Sequence, residues 1–231
     1  MSVPSETLLL DLGNTHLHWR QGGSEGVIRN PEAPGEWPFR HREIQQVCWA
    51  AVGDAQRLQA LQAHFDQAVW HQCHVPDPEL LPTRYDPGQL GIDRWLAMLG
   101  ALKGPAQRRH CIVVVAGTAV TLDVVMAAEH IGGWILPGYH QWHAGLYSGT
   151  RIPPAPVAEA SSSLGTSTAA AIGNGWQAAI EALIAAQSRQ FPEAGLVFGG
   201  GDARKLSSAF PGADIQPELV LDGLAVWSGR H

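Results

Sequence analysis

The chain has little of what would mark a specialised environment. Only three of its 231 residues are cysteine, an odd number spread along the sequence, so no disulfide framework is encoded. Lys and Arg number 15 against 21 Asp and Glu, for a formal net charge of −6. Without a basic surplus, nucleic-acid binding by general electrostatics is excluded. No apolar run approaches the roughly 18 residues a membrane helix needs, so no membrane partner is expected. The opening Met1-Ser2-Val3-Pro4 lacks the charged-then-apolar layout of a signal peptide. With thiols read as reduced, the expected location is cytoplasmic. Two nucleotide signatures are also missing: G-x-x-x-x-G-K-[ST], and a G-x-G-x-x-G opening a helix after a strand.

What is present is an ordinary core-forming composition, 45% hydrophobic, with nine tryptophans that read as core or interface bodies. Two stretches look like copies of one device. Leu8-Leu9-Leu10 ends in Asp11-Leu12-Gly13-Asn14-Thr15, after which Leu17 and Trp19 alternate with polar residues. Ile112-Val113-Val114-Val115 runs into Ala116-Gly117-Thr118, followed by Val120, Leu122 and Val124. Each reads as a buried strand, a glycine turn with a small hydroxyl, and a returning strand. Such a turn offers backbone N–H groups to an anion and suits phosphate. The repetition predicts two related halves that grip one nucleotide between them.

The other elements follow from local signals. Strands are predicted at Val47–Val52, Ala68–Val75, Glu129–Ile135 and Gly195–Phe198. Asp54 is expected to cap a helix bearing Leu58, Leu61 and Phe65. Trp95, Met98, Leu99 and Leu102 share one helical face from Asp93 onward. Lys103-Gly104-Pro105 breaks that helix, which divides the chain into residues 1–104 and 105–231. Later helices are expected to about Leu146, at Thr166–Gln190, after Asp202 as cap, and at Pro217–Trp227. Gly173 and Gly175 predict close packing of the long helix against a neighbour.

Four groups of residues carry candidate chemistry. Asp11, at the end of a buried strand, would repel a nucleotide unless a cation lies between them, so it reads as a Mg²⁺ ligand, directly or through water. Its plain alternative is an Asx-turn. In Gly91-Ile92-Asp93-Arg94, Arg94 can fork onto a carboxylate or phosphate, and Asp93 can accept a proton from an attacking hydroxyl. The plain alternative is a helix cap with a surface arginine. Gly199-Gly200-Gly201-Asp202 reads as an adenosine-side loop or a simple strand-to-helix turn. His71, Cys73 and His74 alternate along a strand and make no three-ligand metal set; Cys48, Cys73 and Cys111 read as core.

Taken in order, Asp11-x-Gly13-Asn14-Thr15, Leu90-Gly91-x-Asp93-Arg94, Gly117-Thr118-Ala119-x-Thr121-x-Asp123 and Gly132-Gly133-x-Ile135-x-Pro137-Gly138 resemble the type III pantothenate kinases. The resemblance runs from Leu8 to about Leu224. It implies an α/β chain of two similar actin-like (ribonuclease H-like) halves, each a mixed sheet with flanking helices, with a cleft between them. It implies ATP-dependent phosphorylation of pantothenate, the first step of coenzyme A biosynthesis, by a homodimer using Mg²⁺. Asp11, Leu12, Gly13, Asn14, Thr15, His16, Leu17 and His18 would form the first phosphate loop, and Thr118 would touch ATP from the second. Gly91, Ile92, Asp93 and Arg94 would hold pantothenate, with Asp93 as proton acceptor. Tyr85 would contact pantothenate too, as would Thr168 of Thr168-x-x-Ala171-Ile172-x-x-Gly175 near the dimer interface.

Two positions depart from the family. Val115 stands where relatives often carry an aspartate that binds a monovalent cation, K⁺ or NH₄⁺. His18 stands where many carry lysine. A histidine of ordinary pKa is mostly neutral at pH 7, which predicts weaker, pH-sensitive phosphate attraction. These departures support a second reading, a non-catalytic nucleotide-binding regulatory module on the same fold.

Overall fold

Leu8, Leu9 and Leu10 are fully buried because strand β1 (Thr7–Leu12) is covered on both faces, as a continuous apolar run demands. The computed structural model describes residues 3–13, 16–29, 38–39, 44–52, 55–103, 107–153 and 155–230. The chain divides into two compact units, Met1–Arg108 with Ala128–His130 and Glu218–His231, and Arg109–Ala127 with Ile131–Pro217.

The first unit is built on strands β1, β2 (Leu17–Gln21), β3 (Ser24–Ile28), β4 (Gln46–Ala51) and β5 (Val69–Gln72). Their order is β3-β2-β1-β4-β5. β1 is antiparallel to β2 and parallel to β4, so the sheet is mixed. The two-residue period sorts its faces. Leu8, Leu10 and Leu12 join Leu17, Trp19, Val47 and Trp49 in one core, which α1 (Gln59–His64) and the 3₁₀ turn before it cover through Leu61 and Leu58. On the other face lie α2 (Ile92–Lys103) against β4 and α6 (Leu219–Ser228) against β1 and β2. The two helices cross very closely. A Cβ on Gly223 would fall 1.9 Å from the Leu96 carbonyl oxygen, and one on Gly100 would fall 2.3 Å from that of Leu219. Glycine at both positions is what lets the backbones touch.

The second unit repeats the plan. Its strands are β6 (Cys111–Ala116), β7 (Ala119–Met126), β8 (Glu129–Pro137, whose first residues are counted with the first unit), β9 (Gly195–Gly199) and β10 (Asp214–Ile215). The order β10-β9-β6-β7-β8, read backwards, matches the first sheet strand for strand. β6 is antiparallel to β7 and parallel to β9. Ile112, Val114, Val120, Leu122 and Val124 pack against Trp176, Ile180 and Ile184 of α4 (Thr168–Gln190). The remaining helices are α3 (Tyr139–Gly149) and the short α5 (Ala203–Ser207). These are the two similar halves expected, each a mixed sheet with flanking helices.

Several local expectations are refined. β3 and β10 were not foreseen, since neither carries an apolar run. Asp202 occupies the cap position of α5, but its side chain makes no capping hydrogen bond. Asp54, Gly104 and Pro105 lie outside the described residues. Gly173 does serve close packing: a Cβ there would meet the Tyr139 hydroxyl at 2.6 Å, whereas Gly175 is exposed with open space beside it. Trp95 and Trp176 are fully buried, and their indole N–H groups donate to the carbonyls of Leu81 (3.1 Å) and Pro137 (3.0 Å).

Candidate active site

Alternation along β1 turns Leu10 and Leu12 into the core and Asp11 toward the face where α2 and α6 begin. Asp11 pairs in register with His18 on β2 and Ala50 on β4. His18 and Arg20 point the same way as Asp11 and meet α6. The His18 Nδ1 lies 2.9 Å from Glu218, and the Arg20 guanidinium lies 2.7 Å from Asp222, one helical turn on. Asp93 sits in the first turn of α2. One side of the first unit therefore gathers four carboxyl groups, one imidazole, one guanidinium and two helix N-termini.

That crowding sets the protonation. Loss of solvent raises the Asp11 carboxyl to about 7; His18 works against the rise, while Asp93 and Glu218 add to it. His18 is raised above its ordinary value, chiefly by its hydrogen bond to Glu218, against the opposing effect of burial. The histidine is therefore not one of ordinary pKa: Glu218 and Asp11 both favour the charged imidazolium. What the cluster needs is positive charge. The balance sets one imidazole and two further carboxyl groups against the Asp11 carboxyl, so its chemistry fits a divalent cation. Among the described residues no group of three or more His, Cys, Asp or Glu could hold a metal alone. A cation at Asp11 would be completed by phosphate oxygens and water, as Mg²⁺ commonly is.

The first turn closes by the Gly13 N–H donating to the His16 carbonyl at 3.0 Å. Asn14 and Thr15 lie outside the described residues. Leu12 and Leu17 are fully buried in the core, so only their backbones can face a ligand, and the Leu12 carbonyl already accepts from Val52. His16 is half-buried, its ring 6.5 Å edge-on from that of His18.

Beside this cluster, Gly91 leaves room for its neighbour: a Cβ there would lie 2.7 Å from Asp93 Oδ1. Asp93 Oδ1 accepts from the Arg94 backbone N–H at 2.8 Å. Ile92 is buried, an anchor for the start of α2. Arg94 is not the surface residue of the plain alternative; it is 5% exposed, with its guanidinium carbon 5.3 Å from the Tyr85 ring centroid. Asp93, Arg94 and Tyr85 thus sit together, with Asp11 electrostatically coupled to Asp93.

In the second unit, Gly117 donates to the Ala119 carbonyl at 2.9 Å, and Thr118 stands exposed on the turn. Pro137-Gly138 supports this turn. Gly138 N–H donates to the Thr118 carbonyl at 3.1 Å, and a Cβ on Gly138 would lie 2.2 Å from the Gly117 carbonyl oxygen. Gly200, with φ +84°, passes close to Ala116, where a Cβ would fall 2.4 Å from the carbonyl oxygen. The triple-glycine loop thus wraps the end of β6. Thr168 is exposed at the start of α4, which Ser167 caps by accepting from Ala170 N–H at 3.2 Å.

Sequence reasoning missed Glu218 and Asp222. Their spacing of four on a helix was readable, but nothing local connects them with His18 and Arg20, some 200 residues away.

The sequence profile described as type III pantothenate kinase matches residues 7–190. A type III pantothenate kinase of Ectopseudomonas mendocina is 39% identical, over 95% of this chain and 97% of its own length. One of Halorhodospira halophila is 35% identical, over 97% and 98% respectively. Among solved structures, a Campylobacter jejuni protein described as a candidate Baf family transcriptional activator superposes with a TM-score of 0.66 at 21% identity, covering 96% of this chain and 98% of that one. That likeness shows the fold alone.

Proposed function

Because the chain belongs to the type III pantothenate kinase family, we propose that Asp93, Asp11 and their neighbours in the first unit carry the transfer of phosphate from ATP to pantothenate. The reaction itself, ATP-dependent phosphorylation of pantothenate in coenzyme A biosynthesis, comes with family membership. The observation that supports the assignment is the grouping of Asp93 with Asp11, His18 and Glu218 at the starts of two helices.

Asp93 accepts the proton from the primary hydroxyl of pantothenate as its oxygen bonds to the γ-phosphorus and the bond from phosphorus to the departing ADP oxygen breaks. Gly91 leaves room for that carboxylate, and Arg94 and Tyr85 orient the acceptor. Asp11 would hold Mg²⁺, which would neutralise phosphate charge. His18, whose charged form Glu218 favours, draws the phosphates. Thr118 contributes a hydroxyl to ATP, and Thr168 contacts pantothenate.

We further propose a cytoplasmic homodimer that works without the monovalent-cation ligand usual at position 115. No helix among the described residues is long and apolar enough to cross a membrane. Sedimentation showing a monomer at micromolar protein would remove the interface role given to Thr168.

Asp93→Asn tests the central claim. It keeps the shape and removes the base, so ATP binding should stay near wild type while kcat falls about 10²–10⁴-fold. A variant that retained more than about a tenth of wild-type kcat in an assay of pantothenate-dependent ADP release would show that Asp93 is not the base.

A further inference from the structure

His130 is fully buried at the start of β8, yet it touches the segment that carries Tyr85, whose Thr83 lies 47 residues away in sequence. Its backbone N–H donates to the Pro82 carbonyl at 2.9 Å, and its own carbonyl accepts from Arg84 N–H at 2.9 Å. These bonds make a parallel bridge between Thr83 and His130. Glu129 adds an ion pair to Arg84 at 2.8 Å. The imidazole does more than fill space. Its Nδ1 lies 2.9 Å from Thr83 Oγ1, and that same oxygen accepts the Tyr85 backbone N–H at 3.0 Å. The Thr83 hydroxyl, having accepted from Tyr85, still has a proton and a lone pair, so it can bond Nδ1 in either tautomer of the ring. The ring also stacks on Tyr85, centroids 6.0 Å apart and planes 21° from parallel. Tyr85 in turn borders the Arg94 guanidinium.

We propose that His130 is a positioning residue for the acceptor: through Thr83 and its stack on Tyr85 it holds the tyrosine ring against Arg94, and so sets the affinity for pantothenate without touching it. This rests on Tyr85 and Arg94 forming the acceptor site. A tyrosine on an irregular segment has two free side-chain torsions and no helix or sheet to hold it. The aromatic wall and the hydroxyl pin supply the order that binding would otherwise have to impose.

The test is a double-mutant cycle on the full chain, read as KM for pantothenate, KM for ATP and kcat. His130→Ala should raise KM for pantothenate about 5- to 20-fold, with KM for ATP and kcat within about twofold. Tyr85→Ala should raise the same KM, and His130→Ala should add little in the Tyr85→Ala background, because its effect passes through that ring. His130→Phe keeps the stack and loses the nitrogen, so it should restore part of the affinity. Thr83→Val removes the pin alone and carries the test should His130→Ala fail to fold. If Tyr85→Ala weakens pantothenate while folded His130→Ala, or Thr83→Val in its place, leaves that KM unchanged, the positioning role is overturned and the acceptor site stands. If Tyr85→Ala itself leaves KM unchanged, the acceptor-site assignment fails as well. A parallel loss in kcat and both KM values would mark His130 as merely structural and overturn the proposal.

Discussion

Asp11 and Val115 hold the same place in two copies of one motif. Each is the fifth residue of a six-residue strand, one residue before the last and two before the turn glycine, and in each strand it is the one position not fully buried. Their sheet neighbours correspond too: His18 and Ala50 flank Asp11, and Thr121 and Gly199 flank Val115. The backbone is repeated; the electrostatics are not. Around Asp11 lie an imidazole and two further carboxyl groups. The Val115 end of β6 is instead wrapped by Gly200 and its loop, and its turn is propped by Gly138. A duplicated β-turn-β unit therefore supplies two turns of one design, and the first of them carries a cluster of ionisable groups.

Making the first copy resemble the second should have the largest effect. Asp11→Val should lower kcat/KM for ATP by about 10²-fold or more, since it deletes the proposed metal ligand from the charge-bearing site. It should also change the pH dependence of stability. The folded carboxyl sits at about 7, above its value of 3.8 when unfolded. The stability tied to its protonated form is therefore complete below about pH 4 and is lost as pH rises through 7. Removing the group should abolish that decline. Because Asp11 keeps some contact with solvent, the gain of the ligand-free variant at pH 8 should be on the order of 1–3 kcal/mol. Parallel melting curves for variant and wild type from pH 4 to 8, or activity above about a tenth of wild type, would break the contrast.

His18→Gln sharpens it. The variant lacks the imidazolium that Glu218 favours, so KM for ATP should rise about 5- to 10-fold at a pH where wild type carries that charge. The deficit should shrink as pH climbs through the raised value of His18, because the wild type then loses the same proton; Asp11, Asp93 and Glu218 are the charged groups that share the site. A deficit that is constant from pH 6 to 9 would mean that the imidazole acts by shape alone.

Val115→Asp approaches the comparison from the other side, giving the second copy an acid. The smallest effect is expected here: a severalfold stimulation by K⁺ or NH₄⁺ over Na⁺ that wild type does not show. Equal rates in all three salts would mean that the strand-end position alone does not make a cation site.

Much of this was legible without coordinates, and for a definite reason. A run such as Leu8–Leu10 or Ile112–Val115 that ends in glycine and resumes with alternating residues carries its own geometry, so both β-turn-β units could be placed. Gly91-x-Asp93-Arg94 marked a helix start with an acid and a base side by side, although its plain reading as a surface cap looked just as good. Burial of Arg94 beside Tyr85 separates the two, and burial is a property of what packs around a residue. Strands β3 and β10 were missed because edge strands with few apolar residues leave no periodic trace.

By itself the sequence determined the repeated strands, their glycine turns and the acids next to them, because backbone preference and apolar period are local properties of a short stretch of chain. Only the tertiary structure decided which charges meet. It carried α6 back onto the first unit, where Gly223 and Gly100 allow contact with α2, and so brought Glu218 to within 2.9 Å of His18. Electrostatic interaction depends on distance through space, and no pattern along the chain records it.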